Sequence, residues 1–193
     1  MKKRVAILIS GRGSNMRALI EAAKEKDYPA EIVLVISNVA DAGGLDFARK
    51  HGIETQVIEH QKFPSREIFD NAMDVALKAA NVDLVALAGF MRLLSPRFTE
   101  SWRGKMINIH PSLLPAYKGL HTHKRAIEAG EKFVGCTVHF VTPELDDGPT
   151  ILQAKVPVLP GDTEDALAAR VLEQEHKIYP QALRLVAEGK AKI

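Results

Sequence analysis

Short runs of apolar residues alternate along most of the chain with longer segments in which apolar positions recur every three or four residues. The short runs are typical of strands buried on both faces, and the longer spacing is typical of helices with one buried face. The predicted strands cover residues 5–9, 32–37, 56–58, 84–88 and 106–109. The predicted helices cover residues 15–26, 45–50, 65–80 and a segment that begins at Ser95-Pro96, where a capping serine precedes a proline. This alternation predicts an α/β fold with an open, twisted, mostly parallel sheet and helices on both faces.

The pattern changes after residue 130. Residues 136–141 and 151–158 alternate apolar and polar positions and flank a Leu-Asp-Asp-Gly-Pro turn, so they predict an antiparallel strand pair near the C-terminal end. Residues 163–188 predict a long closing helix. Because no repeat and no linker interrupts the chain, we expect residues 1–193 to form a single domain.

Composition narrows the class of protein. Hydrophobic residues make up 46% of the chain, which is enough for a normal core, and the net charge of +2 is too balanced to predict a nucleic-acid or membrane-surface partner. The one cysteine, Cys136, allows no disulfide framework and is expected to be a small buried apolar residue. The basic start precedes only five apolar residues, fewer than the roughly 7–15 of a signal peptide. We therefore expect a cytoplasmic protein that binds neither nucleic acid nor membrane.

Unusual residues follow three of the predicted strands, at the sheet edge where ligands bind in such folds. In the first of these segments, Gly11 and Gly13 come directly before a helix. A glycine-rich turn at a helix N-terminus exposes N–H groups that bind phosphate. The loop lacks a Gly-Lys-Ser/Thr ending, and Met16 stands where a dinucleotide fingerprint has its third glycine, so a phosphate monoester on a small substrate suits it best. The alternative is a plain glycine turn with a helix cap.

The fifth predicted strand contains Asn108 and is followed by His110, and Pro111 stops it. Residues two apart share a face of a strand, so the Asn108 amide and the His110 imidazole project together and would bind a carbonyl oxygen and move a proton. A carboxylate from the downstream Asp146-Asp147 turn would favour the imidazolium and orient it. The alternatives are a structural histidine and solvated turn acids.

Other candidates carry weaker signals. His121 and His123 lack a third ligand at metal-binding spacing, so no metal site is predicted. His139 lies on the alternating strand of residues 136–141, and the pattern supports equally a place in the site and a place in the core. The segment around Met91–Leu94 is either core or the wall of an aromatic ligand's pocket.

Five motifs together carry a resemblance to a known family. They are SGRGSN at 10–15, AGFMRLLSP at 88–96, NIHPSLLPAYKGLHTH at 108–123, VHFVTPELDDGP at 138–149 and QEHKIYP at 174–180. In this order, and over essentially the whole chain, they resemble the folate-dependent glycinamide ribonucleotide formyltransferases of purine synthesis. The resemblance implies a Rossmann-like formyltransferase fold and formyl transfer from 10-formyltetrahydrofolate to the amine of glycinamide ribonucleotide, through a tetrahedral intermediate and without a metal. It leaves open whether the protein is a monomer or a homodimer.

The same resemblance implies roles for individual residues. The catalytic residues would be Asn108, His110 and Asp146. The ribonucleotide-binding residues would be Gly13, Ser14 and Asn15 for the phosphate and Glu175 for the ribose hydroxyls. The folate-binding residues would be Arg66 near the glutamate tail, Met91, Arg92, Leu93, Leu94, Asn108, Thr142, Pro143, Glu144, Leu145 and Asp146. Arg12 and Asp147 occupy positions that we expect to vary.

Three other functions compete with this interpretation. Methionyl-tRNA formyltransferase and formyltetrahydrofolate deformylase are similar at NIHPSLLP, but we expect the first to need a further C-terminal domain for tRNA and the second an N-terminal regulatory domain. This chain ends at Ile193, and its first predicted strand begins near Arg4. A nucleotide-binding module that uses only the glycine loop would leave Asn108, His110 and Asp146 without a role.

Overall fold

Seven strands lie side by side in one sheet in the computed structural model, which describes residues 1–193. The strands are β1 (Lys3–Ile9), β2 (Ala30–Ser37), β3 (Glu54–Val57), β4 (Leu84–Leu87), β5 (Met106–His110), β6 (Phe133–Phe140) and β7 (Thr150–Pro157). Their order is β3-β2-β1-β4-β5-β6-β7. Strands β1 to β5 are parallel to one another, whereas β6 is antiparallel to both β5 and β7. The predicted fold class is confirmed, and the predicted antiparallel pair joins the sheet through β5.

Six α-helices and one 3-10 turn connect the strands. They are α1 (Ser14–Ala23), α2 (Gly44–Lys50), the 3-10 turn His60–Lys62, α3 (Arg66–Ala79), α4 (Pro96–Ser101), α5 (Thr122–Glu128) and α6 (Glu164–Ala187). The side chains of Ser65, Ser95 and Thr163 cap the N-termini of α3, α4 and α6. Sequence analysis did not predict α5, because this short helix buries only Thr122 and Ala126 and so lacks a repeated apolar spacing.

The sheet is buried on both faces, which explains why its central strands are apolar throughout. In β1, Val5, Ile7 and Ile9 belong to a core cluster that also contains buried side chains of α1 and α6. Ala6 and Leu8 of the same strand belong to a second cluster with buried side chains of α3 and with Trp102. Each apolar run therefore supplies two cores rather than one.

The strand order places a crevice at the middle of the sheet. The chain builds outward from β1 to β3 and then resumes with β4 on the other side of β1, so the loops after β1 and β4 leave the sheet in opposite directions. Ligands of open α/β sheets bind at such a switch point. None of the helices combines the length and apolar character that crossing a membrane requires.

Candidate functional site

The end of β5 brings an amide and an imidazole from neighbouring strands into contact. Asn108 lies opposite His139 in the antiparallel register of β5 and β6, so the two side chains share a face of the sheet. The Asn108 Nδ2 donates to His139 Nε2 (3.3 Å), and His139 Nδ1 donates to the Phe140 carbonyl (2.9 Å). These bonds require a neutral His139, in agreement with the burial that lowers its pKa. The amide NH2 carries a second hydrogen, which is available to a ligand.

His110 lies between two acceptors. Its Nε2 donates to the Tyr117 carbonyl (2.9 Å), and its Nδ1 faces the Asp146 Oδ2 at 3.4 Å. The His110 side chain is only 8% exposed and that of Asp146 7%. A carbonyl and a carboxylate both accept hydrogen bonds, so each ring nitrogen of His110 faces an acceptor.

Asp146 owes its position to the turn that joins β6 and β7. It adopts a left-handed backbone with φ of 49°, and its Oδ2 accepts a hydrogen bond from the Gly119 N–H (2.9 Å). The turn packs tightly against the end of β6, since a Cβ on Gly148 would lie 1.7 Å from the Phe140 carbonyl oxygen. The neighbouring Asp147 is half-exposed and pairs with Lys118, so it ties the same two segments together from the solvent side. The two adjacent acids thus have different surroundings.

The glycine loop after β1 meets α6 through a buried polar pair. Gly13 is the N-cap of α1, with a left-handed φ of 68° and no side-chain cap on the helix. Asn15 Nδ2 donates to the Glu175 Oε2 (2.7 Å), while Asn15 Oδ1 is buried without a hydrogen-bond partner. Burial raises the pKa of the Glu175 carboxyl, and the bond from Asn15 opposes that rise. Two segments 160 residues apart in the chain, both predicted to bind one ribonucleotide, are therefore in direct contact.

The loop after β4 presents large apolar side chains to solvent. Met91 is 63% exposed and Leu93 60% exposed, whereas Leu94 packs partly against the second core cluster. Leu145 of the β6–β7 turn is also exposed, at 56%. Met91 and Leu93 thus leave apolar surface on this loop that is available to a ligand.

Most of the remaining predicted site residues lie near the loop after β4 or the β6–β7 turn, and Arg66 does not. Arg92 and Glu144 are exposed, whereas Thr142 and Pro143 are half-buried beside the turn that holds Asp146. Arg66 lies apart at the start of α3, where it pairs with Glu67 (3.7 Å) and makes no hydrogen bond or ion pair with another predicted site residue. His121 and His123 do not gather with a third ligand, and no group of three or more His, Cys, Asp or Glu side chains is arranged to hold a metal.

Sequence reasoning missed some contacts at the site and left one residue undecided. The carbonyl of Tyr117 as partner of His110 has no sequence signal, because every residue carries a carbonyl. The sequence left His139 open between the site and the core, and the register of β5 and β6 places it against Asn108, 31 positions away in the chain. The side chains of Ser10 and Asp70 accept hydrogen bonds from backbone N–H groups of the loop after β4. From the sequence, neither side chain was assigned this role.

Comparison with known proteins places this geometry in a family. The formyl transferase family model matches residues 3–183. The chain is 50% identical to the phosphoribosylglycinamide formyltransferase of Escherichia coli (strain K12), over 98% of this chain and 89% of that enzyme. It is 53% identical to the human trifunctional purine biosynthetic protein adenosine-3, over 97% of this chain, but it spans only 19% of that protein's length.

A solved structure agrees with these sequence matches. The crystal structure of the Brucella melitensis phosphoribosylglycinamide formyltransferase superposes with a TM-score of 0.93 at 54% identity, covering 97% of this chain and 96% of that one. The match therefore extends over nearly the whole of both chains. The chain belongs to the formyl transferase family.

Proposed function

We propose that the protein is a glycinamide ribonucleotide formyltransferase, which moves the formyl group of 10-formyltetrahydrofolate to the amine of glycinamide ribonucleotide in purine synthesis. The observation that carries the proposal is the contact between His110 and Asp146 beside Asn108, in a chain half identical to a phosphoribosylglycinamide formyltransferase over nearly its whole length.

The chemistry follows from the groups at the end of β5. The amine of the ribonucleotide attacks the formyl carbon, and negative charge develops on the formyl oxygen. The second hydrogen of the Asn108 amide and the Nε2–H of His110 would stabilise that oxygen. For this, the formyl oxygen would replace the Tyr117 carbonyl as the acceptor of the His110 Nε2–H. The carbon–nitrogen bond to the folate then breaks, the amine loses a proton and the folate nitrogen gains one. The His110–Asp146 pair would transfer a proton from the amine to the folate nitrogen.

The ribonucleotide would lie across the contact between the glycine loop and α6. The N–H groups of Ser14 and Asn15, at the uncapped start of α1, would bind the phosphate. The Glu175 carboxylate and the unpartnered Asn15 Oδ1 are both acceptors, which suits the hydroxyl groups of a ribose.

The folate would lie against the loop after β4 and the β6–β7 turn, with Met91, Leu93 and Leu145 as apolar contacts. Arg92, Leu94 and Thr142–Glu144 complete this proposed surface, and Arg66 would bind the glutamate tail. We also propose that residues 1–193 act as one domain, in the cytoplasm, as a monomer or homodimer.

The test is a turnover assay that separates the competing functions. The purified chain is mixed with 10-formyltetrahydrofolate, with and without glycinamide ribonucleotide, and the absorbance of the folate product is followed. Product formation that requires the ribonucleotide supports the proposal. Release of the folate product without it would identify a deformylase, and no turnover in either mixture would favour a binding module.

A further inference from the structure

The loop after β4 is fixed at each end by a side chain from another part of the fold. At its start, Ser10 Oγ accepts a hydrogen bond from the Met91 N–H (2.8 Å), and the Ser10 N–H donates to the Gly89 carbonyl (3.1 Å). At its end, the Asp70 Oδ2 accepts a hydrogen bond from the Ser95 N–H (2.6 Å). The segment between these points contains the exposed Met91 and Leu93.

Asp70 occupies an unfavourable place for a carboxyl group. It is 1% exposed on α3, beside Phe69 of the second core cluster, and its Oδ1 is buried without a hydrogen-bond partner. Burial raises the pKa of this carboxyl. A buried polar group that makes few bonds lowers stability, so Asp70 is poorly explained as a stabilising residue of the core. Its hydrogen bond instead fixes the backbone of the loop at Ser95.

We propose that Asp70, assisted by Ser10, is a positioning residue for the folate substrate. Apolar side chains on a free loop would turn away from water toward the core. Holding both ends of the loop keeps Met91 and Leu93 directed outward and reduces the ordering that ligand binding would otherwise require. This inference rests on the proposed function, because it takes residues 91–94 as part of the folate surface.

A neighbouring residue offers a matched control. Asp74 lies one turn further along α3, and its Oδ1 accepts a hydrogen bond from the Trp102 indole N–H (3.0 Å), just beyond the end of α4. Asp70 and Asp74 are therefore acids of one helix that bind the same downstream segment. Only Asp70 reaches the loop itself.

The test compares Asp70→Ala, Asp70→Asn and Asp74→Ala in the full chain, with the dissociation constant of tetrahydrofolate measured by calorimetry and with urea unfolding as a check of folding. Removing the acceptor of the Ser95 N–H leaves a buried donor unpaired unless the loop moves, and ligand binding must then restore the position of the loop. Asp70→Ala should therefore weaken folate binding about tenfold or more. Asp70→Asn keeps an acceptor oxygen and should recover most of the affinity, and Asp74→Ala should lose stability without losing folate affinity.

The turnover assay distinguishes this inference from the proposed function. In Asp70→Ala the KM for 10-formyltetrahydrofolate should rise while the KM for the ribonucleotide stays within about twofold, since the Asp70 bond lies outside the glycine loop and α6. Unchanged folate affinity in Asp70→Ala, or an equal loss in Asp74→Ala, would overturn the positioning role while leaving the function intact. Failure of the wild-type chain to bind tetrahydrofolate would overturn both. If Asp70→Ala does not fold, Ser10→Ala releases the other end of the loop and is judged by the same two constants.

Discussion

Replacing Asp146 by asparagine removes one negative charge from the site and keeps the size of the side chain. In the wild-type protein this carboxylate faces His110 Nδ1 at 3.4 Å, and both side chains are more than nine-tenths buried. Two unit charges at that separation attract by about 5 kcal/mol at an effective dielectric constant of 20. The amide oxygen of the substituted side chain would still accept the hydrogen bond from the Gly119 N–H, so the main loss is the charge that faces His110.

The cost of burying the carboxylate offsets part of this attraction. If about 3 kcal/mol of it acts in the transition state, kcat falls about 10²-fold, since 1.36 kcal/mol corresponds to a factor of ten. This value lies at the lower end of the range for a proton-transfer group. The measurement is kcat at saturating concentrations of both substrates, together with nitrogen-15 NMR shifts of the His110 ring at the same pH. The Nδ1 signal should shift in Asp146→Asn, because the carboxylate charge that faces this nitrogen is gone.

Asp147→Asn is the matched control, because it removes the same charge from the next residue. Its pair with Lys118 is exposed, and exposed pairs contribute only about 0–1 kcal/mol. We expect kcat of this variant to stay within about fivefold of the wild type. Equal loss of activity in the two variants, or an unchanged His110 ring in Asp146→Asn, would refute the reasoning.

Three further outcomes are expected. Gly13→Val should weaken ribonucleotide binding far more than folate binding in calorimetry, because position 13 has a left-handed φ and an added Cβ would lie 3.0 Å from the Met16 side chain; equal losses for both ligands would contradict this. Glu175→Gln should unfold at higher urea concentration than the wild type at pH 8, because burial raises the pKa of Glu175 from 4.5 and so penalises its charged form in the folded state. That difference should vanish as the pH falls below 4.5, where the carboxyl is protonated in both states, and a difference independent of pH would show that charge burial is not its cause. Cys136 should resist iodoacetamide at pH 8 until urea unfolds the chain, because burial raises the pKa of its thiol to about 12, and alkylation of the folded protein would contradict this.

The parts of the site that depend on local pattern could be predicted from the sequence. Strand alternation placed Asn108 and His110 on one face of β5, and the apolar runs placed β1, β4 and β5 in one parallel sheet. The contact of Asp146 with His110 spans 36 positions and depends on the left-handed backbone at residue 146, which no periodicity reveals. The resemblance to a family nominated Asp146 where the residues alone left two adjacent acids equivalent.

Asp70 shows a different limit of sequence reasoning. A charged residue in an amphipathic helix is ordinarily assigned to the solvent face. In the structure Asp70 lies instead on the buried face of α3, with Phe69, Met73 and Leu77. Its burial becomes visible only when α3 is packed against the segment that begins α4. The pairing of Asn15 with Glu175 is hidden for the same reason, since it requires α1 and α6 to be neighbours.

The backbone around His110 is the least relaxed in the molecule. Four residues other than glycine have positive φ, and three of them, Tyr117, His121 and Asp146, lie in or beside the two segments that touch His110. A left-handed backbone costs an ordinary residue about 1–2 kcal/mol. Selection for heat resistance alone would therefore favour glycine at position 146, and glycine would remove the carboxylate that faces His110. The chain retains side chains there at the expense of its own melting temperature, as expected where stability and activity make opposite demands on one position.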